Sequence, residues 1–574
     1  MNYIDISGLN CKNCYKCLRA CPVKAIKFKN EKAEIVEERC ISCGRCLVIC
    51  PQNAKKDKPD IKHVKQAIKS GKKVVASVSS VFAGVFNVEE GKIVSALRGL
   101  GFSYVEETAL GGEIVTELYK DYIETTNLNN YITSSCPSIV NLIEKYFPSL
   151  IKYMIPISSS MTAHGKILKE IWGKDAFVVF IGPCIAKKTE SDIYKKEKVV
   201  DAVINFDELK TWFKEWNIDL NSMPIGEFDR NAYKQIRSFT LSGGIINSME
   251  NVIENNKLIS MSVSGIEESI QVLKSIEIGE ISNTFLEITA CRGNCVAGPN
   301  MIKNEVSYYT RLNKVKNYIK NRETSNTIRL LSVPDNIDFS TPFLDRRFEK
   351  KEASRKEILK IMKSMGKHTK EDELNCGVCG YNTCIEKAQA IYEGMAETNM
   401  CLHFMRNKAE NLTNVIFENT VNCIFILDEN MNVKEINPAG EKAFMIKAKD
   451  IKDKPISLLI NDEDFRYVRE TGKSIIGKKV HYYKYNVIFI KTIVYMPKQD
   501  IVLVSMMDIT KEEENKEELL KVKEQTIDTA QKVIEKQMRV AQEIASLLGE
   551  TTAETKTTLT KLKQVVEGDK SDIE

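Results

Sequence analysis

Sixteen of the 17 cysteines in this 574-residue chain fall at spacings suited to metal ligation. Cys11, Cys14, Cys17 and Cys21-Pro22 form a C-x2-C-x2-C-x3-C-P run, and Cys40, Cys43, Cys46 and Cys50-Pro51 repeat it. The repeat reads as a duplicated cluster-binding unit, and a pair of iron–sulfur clusters is an electron wire. A dispersed group, Cys136-Pro137, Pro183-Cys184, Cys291 and Cys295, supplies four more thiolates, enough for a further cluster. A third set, Cys376, Cys379, Cys384 and Cys401, has C-x2-C-x4-C-x16-C spacing, for which a cluster and a zinc site are both chemically open. In a reducing compartment such spacing argues for metal rather than disulfides. The remaining thiol, Cys423, stands in an apolar run and reads as a small buried hydrophobe.

These ligands need elements to hold them. Residues 74 to about 320 alternate short apolar strands with helical stretches, the pattern of an α/β domain with a largely parallel sheet. Phe177–Ile181 reads as a strand that delivers Cys184 at its C-terminal end, where α/β folds place their sites. Ile288-Thr289-Ala290 leads into Cys291 in the same way. The lysine-rich stretch 55–73 reads as a solvated amphipathic helix running into a buried strand, residues 345–371 as a charged connector, and 385–400 as a helix returning Cys401. Leu520, Ile527, Ile534, Ala541 and Leu548 recur every seven residues in a charged C-terminal segment, the pattern of a coiled coil and, most simply, a homodimer. Lys+Arg of 83 against Asp+Glu of 78 gives a net charge of +5, too small to argue for nucleic acid. No stretch of about 18 apolar residues occurs and the N-terminus has no leader pattern, so the expectation is a soluble, cytoplasmic protein with no membrane partner.

Several motifs carry resemblances. The paired runs resemble bacterial two-cluster ferredoxins, whose fourth cysteines cross over. That implies Cys11, Cys14, Cys17 and Cys50 on one [4Fe–4S] cluster and Cys40, Cys43, Cys46 and Cys21 on the other. Thr133-Ser134-Ser135-Cys136-Pro137, Gly182-Pro183-Cys184-Ile185-Ala186-Lys187-Lys188-Thr189-Glu190 and Cys291–Cys295 resemble the active-site signatures of [FeFe]-hydrogenases. The resemblance implies a [4Fe–4S] cluster on Cys136, Cys184, Cys291 and Cys295, bridged to a di-iron unit with CO and CN ligands. It implies that Lys187 donates to a cyanide, and that Glu190 and Glu117 match carboxylates of a proton path. The departures are as informative. Ser135 replaces a proton-carrying cysteine, Ile155 falls at a relay hydroxyl, and Gly182 and Thr289 stand where fast members carry methionines. A thiol titrates near pKa ~8.5 and a serine hydroxyl does not, so Ser135 implies slow turnover.

Cys376–Cys401 resembles a small [4Fe–4S] domain of electron-transfer subunits and corrinoid proteins. Residues 408–510, with Asn437-Pro438-Ala439 opening a helix and Asp508-Ile509-Thr510 at the close, resemble a PAS domain. The expected fold is multidomain, α/β and α+β. Its parts are a two-cluster ferredoxin-type domain (1–57), an α/β iron hydrogenase catalytic domain (58–325), a small [4Fe–4S] domain (345–407), a PAS domain (408–511) and a C-terminal coiled-coil helix (512–574). This order resembles sensory [FeFe]-hydrogenases. It implies an anaerobic protein that reversibly but slowly oxidises H2 and passes the signal through its clusters to the PAS and coiled-coil output. Four [4Fe–4S] clusters and the di-iron unit are the implied cofactors. H2, protons, a ferredoxin-type carrier and a regulatory kinase or phosphatase are the implied partners. An ordinary ferredoxin-linked hydrogenase and an iron–sulfur scaffold lacking di-iron are the alternatives. Threonines 551–560 offer phosphorylation sites or plain helix surface.

Overall fold

The computed structural model describes residues 3–7, 10–194, 197, 199–230, 232, 234–301, 306–321, 336–548 and 552–567. The boundary expected at 325 and Thr551 lie outside them. The chain forms two compact units, Met1–Met405 and Arg406–Glu574.

In the first unit each cysteine run turns into a short helix, Lys16–Ala20 and Arg45–Val48, entered through left-handed backbone at Tyr15 and Gly44. Gly44 has a second reason to be glycine: a Cβ there would stand 2.7 Å from the Pro299 ring. That close approach seats the second run against the loop that follows Cys291. Strand Ile4–Ile6 pairs with Lys55–Asp57, so the lysine-rich stretch is not solvated at its start. Lys55 is 4 % exposed.

The core holds two parallel sheets. One runs Tyr104–Glu107, Val74–Val78, Phe177–Ile181, Ala202–Ile204; the other runs Ile259–Ser264, Thr284–Thr289, Asn130–Ile132. Val74–Val78 and Thr284–Thr289 are buried along their whole length, as parallel strands covered on both faces must be. The C-terminal ends of five of these strands converge on one cavity through Ser79, Thr108, Ser135, Pro183 and Thr289.

The connector expected at 345–371 is not merely charged and solvated at its start, where it continues a strap that begins at 336. Phe343 packs on the apolar cluster around Ile139, Arg346 pairs with Glu144, and Phe348 sits edge-on to Tyr146 with Arg39 over its ring at 4.8 Å. The strap leads to helix Arg355–Ser364, capped by Ser354 and Glu357. The helix expected over 385–400 spans only Cys384–Tyr392; Gly394, at φ 71°, turns the chain, and a 3-10 turn at Thr398–Met400 presents Cys401.

In the second unit a five-stranded antiparallel sheet has the order Val433–Ile436, Cys423–Leu427, Ile501–Asp508, Val487–Met496, Ile475–Tyr482. Asn437 is fully buried and fully bonded. Its Oδ1 accepts from Ile424 N and Gly440 N, and its Nδ2 donates to the carbonyls of Asn422 and Phe417. Cys423 is 2 % exposed, and burial pushes its thiol up to about 12. Helix Thr510–Leu548 leaves Leu520, Val533, Val540 and Ile544 about half exposed along its length. No helix among the described residues is long and apolar enough to cross a membrane.

Candidate metal centre

Cys136, Cys184, Cys291 and Cys295 all line the cavity at the strand ends, a space of about 120 Å³, together with Ser135, Lys187 and Cys43. Local sequence explains their presentation. Cys136 caps helix Pro137–Tyr146, whose N1 proline suits a helix start. Cys184 precedes helix Ala186–Ile193, so the Ala186 and Lys187 N–H groups point at its sulfur. Asn294, at φ 58°, and Gly293, at φ 86°, bend the chain between Cys291 and Cys295. A Cβ on Gly298 would meet Pro183 at 2.8 Å.

The four thiols sit in one another's fields. Burial, then the charge of Cys136, pushes Cys184 up to about 11; burial, Cys184 and Cys136 push Cys295 up to about 12. Four thiolates so placed are stable only with a cation among them, which fits a cluster. Thr289 Oγ1 lines the cavity, buried and without a hydrogen-bond partner.

Lys187 Nζ donates to Ser159 Oγ at 2.6 Å and Glu190 Oε2 at 2.8 Å, and lies 3.4 Å from the Ser135 carbonyl. Glu190 also accepts from Thr162 Oγ1 at 2.9 Å. Glu190 lines a neighbouring cavity of about 180 Å³, and reaches the cysteine cavity through Lys187. The structure does not bring Glu117 to either cavity. It lies on the surface of helix Ala109–Thr125, its side chain 45 % exposed and paired with Lys120 one turn on. Ile155 is buried in an apolar cluster with Ile114 and Tyr119. At Gly182, just past the strand, the space is taken by a strand residue: a Cβ there would fall 2.6 Å from the Phe180 ring, which lines the cavity.

Two buried carboxylates brace the walls. Glu107 accepts from Arg237 through both oxygens, and from Tyr318. Glu106 accepts from Arg230, Trp172 and His164, and His164 is bonded in turn to Ser77 and through it to the cavity residue Thr108. Burial opposes ionisation of Glu106, but hydrogen bonds and charge from His164 and Arg230 hold it down at about 2.

In the two-cluster module, Cys43 and Cys46 lie in the fields of Cys21 and Cys40, and Cys17 in that of Cys11. Sequence reading missed Lys55, whose buried ammonium stands beside Cys17 and Cys46 and offsets the burial that raises both thiols. Cys376, Cys379, Cys384 and Cys401 line a third cavity with Lys387, which is 1 % exposed and lies in the field of all four. His403 lines that cavity rather than the open surface. Neither lysine has a local sequence signal; each reads as an ordinary surface lysine until the strands and helices close over it.

Residues 72–299 match the C-terminal domain of the iron-only hydrogenase large subunit. Residues 10–54 match the 4Fe-4S dicluster domain, and 372–403 an Fe-S cluster family. Iron hydrogenase 1 of Clostridium pasteurianum is 29% identical over 372 residues, 51% of this chain and 64% of that protein. The cytosolic Fe-S cluster assembly factor NAR1 of Encephalitozoon cuniculi is 25% identical over 236 residues, 36% of this chain and 62% of that protein. The chain thus spans just under two thirds of either relative. Among solved structures, the [FeFe]-hydrogenase HydA1 from Chlamydomonas reinhardtii is 17% identical with a TM-score of 0.35, covering 45% of this chain and 88% of that one. The PAS domain of nitrogen regulation protein NR(II) from Vibrio parahaemolyticus is 25% identical with a TM-score of 0.16, covering 17% of this chain and 98% of that one. The chain therefore carries a hydrogenase-like domain with iron–sulfur domains beside it.

Proposed function

We propose that this protein responds to hydrogen or redox state through a slow, reversible H2 chemistry at the cysteine cavity. The observation that carries the proposal is the convergence of Cys136, Cys184, Cys291 and Cys295 from three distant segments, with Lys187, on one cavity. Those cysteines would hold the [4Fe–4S] part of the centre. A di-iron unit bound beside it would supply heterolytic H2 chemistry, whose net oxidation releases two protons and two electrons. The rest is the work of this chain's side chains. Lys187, fixed by Ser159 and Glu190, presents an ammonium to an anionic ligand. Ser135 offers a hydroxyl where a titrating thiol would speed proton exit, and Ile155 offers no relay at all. Cys43, on the same cavity, brings the two-cluster module to the centre as the electron route. Four [4Fe–4S] clusters, exchange with a ferredoxin-type carrier, a PAS-type second unit and homodimerisation through the Leu520, Ile527, Ile534, Ala541 and Leu548 repeat of Thr510–Leu548 complete the proposal. The output is a regulatory kinase or phosphatase.

The test is an infrared spectrum of anaerobically matured protein. Metal-bound CO and CN bands that shift under H2 are expected. If a control hydrogenase matures in parallel and no bands appear here, the scaffold reading takes over. It is favoured independently by Ser135, which lacks the titrating thiol of a proton carrier. Turnover at the rate of fast hydrogenases would instead make the chain an ordinary ferredoxin-linked enzyme.

A further inference from the structure

The Cys376–Cys401 module follows the α/β core in the chain, yet it docks on the two-cluster module. Phe28 N donates to Met395 O at 3.1 Å, Asn30 N to Glu397 Oε1 at 3.0 Å and Arg19 Nη1 to Val378 O at 2.6 Å, and Arg39 pairs with Glu393. Leu18 and Phe28 share an apolar cluster with Tyr381, Met395 and Met400. Gly380, at φ 99°, lets the chain pass where a Cβ would stand 2.7 Å from Leu18.

Two polar side chains occupy this seam, one bridging its backbones and one with an orphaned hydroxyl. Lys24, at φ 49°, donates Nζ to Gly380 O at 2.8 Å and Leu18 O at 3.3 Å, and lies in the fields of both Cys21 and Cys379. Tyr381 is 4 % exposed, also lies in the fields of Cys379 and Cys21, and its hydroxyl has no hydrogen-bond partner. An orphaned buried hydroxyl costs about 1–3 kcal/mol, and such a group calls for an acceptor that the polypeptide does not supply. Cluster sulfur is an acceptor of the right kind at that place.

We propose that Lys24 and Tyr381 couple the Cys376–Cys401 cluster to the cluster on Cys21, Cys40, Cys43 and Cys46, the Tyr381 O–H donating to a sulfur and the Lys24 ammonium shared between the two. This rests on the cluster assignments above and not on the hydrogen chemistry. One electron leaving the Cys21-set cluster oxidises it and reduces its neighbour, with no other reactant. The Cys21 set is then a hub: Cys43 reaches the cavity, while Cys21 faces the seam. The Cys11 set also borders the seam through Cys17, and its exposed Cys14 offers an exit for a soluble carrier. The chain runs from Cys401 directly into helix Leu402–Asn419 and the second unit, so the seam is the signalling branch.

The test is an electron paramagnetic resonance redox titration of the reconstituted full chain. Tyr381→Phe keeps the ring and removes the donor; the midpoint potential of the Cys376–Cys401 cluster should become more negative, because a hydrogen bond to sulfur stabilises the reduced cluster. Lys24→Met should lower that potential and that of the Cys21-set cluster together. In the fully reduced wild type, the Cys376–Cys401 signal should show spin interaction with the Cys21 set, lost in Cys376→Ser. Potentials unchanged in both variants with clusters intact, or a wild type without that spin interaction, would overturn the proposal. Should Tyr381→Phe lose its cluster, the wild-type spin interaction decides. None of these signals needs the di-iron unit, so absent CO and CN bands would leave this result standing.

Discussion

Gly182 tests how the cavity wall was rebuilt. Its φ lies outside the left-handed region, so glycine is not required by the backbone. What excludes a side chain is Phe180, whose ring atoms would lie 2.6 Å from a Cβ, with Ser79 Cβ next at 3.4 Å. Phe180 is 4 % exposed and packed among Val75, Met161 and Val203. Gly182→Met alone should therefore overpack the wall and cost about 1–3 kcal/mol. Phe180→Ala alone removes a buried ring and should cost about 3–5 kcal/mol. In the double variant the methionine enters the vacated volume, so the loss should fall short of the sum by about 1–3 kcal/mol. Urea unfolding of the reconstituted full chain, followed by loss of cluster absorbance, reads this out. Costs that add to within about 0.5 kcal/mol would refute the claim that Phe180 replaces a side chain at 182.

Two further outcomes follow from the same geometry. Ser135→Cys places a titrating thiol on the cavity and should raise hydrogen turnover in matured protein, by up to the ~10²–10⁴-fold typical of a positioned proton carrier; an unchanged rate would mean proton delivery is not limiting. Arg237→Met leaves the fully buried Glu107 without its bidentate partner. It should cost about 3–5 kcal/mol in urea unfolding, whereas a loss under about 1 kcal/mol would show that Tyr318 and backbone donors suffice for Glu107.

The cysteine sets were legible in the sequence because each loop around a metal is local. The spacings within 11–21, 40–50 and 376–401 are set by what a few residues can wrap, and the strand before Cys184 announces its place by five apolar residues in a row. The Asn437-Pro438-Ala439 helix entry and the burial of Cys423 were equally local signals. What the sequence could not carry was anything set by distant partners. Glu117 had the right residue type but the wrong face of its helix. Lys55 and Lys387 look like any surface lysine, and only the pairing of Ile4–Ile6 with Lys55–Asp57 and the closure of the 384–392 helix bury them beside thiols. Phe180 fills the space at 182, a substitution in shape that alignment by residue type hides. The docking of the last cysteine module on the first joins residues more than 350 positions apart, as in Arg19 to Val378. Local spacing fixes which atoms can hold a cluster; only long-range packing decides which clusters stand next to one another, because no periodicity in the chain encodes a contact between segments so far apart.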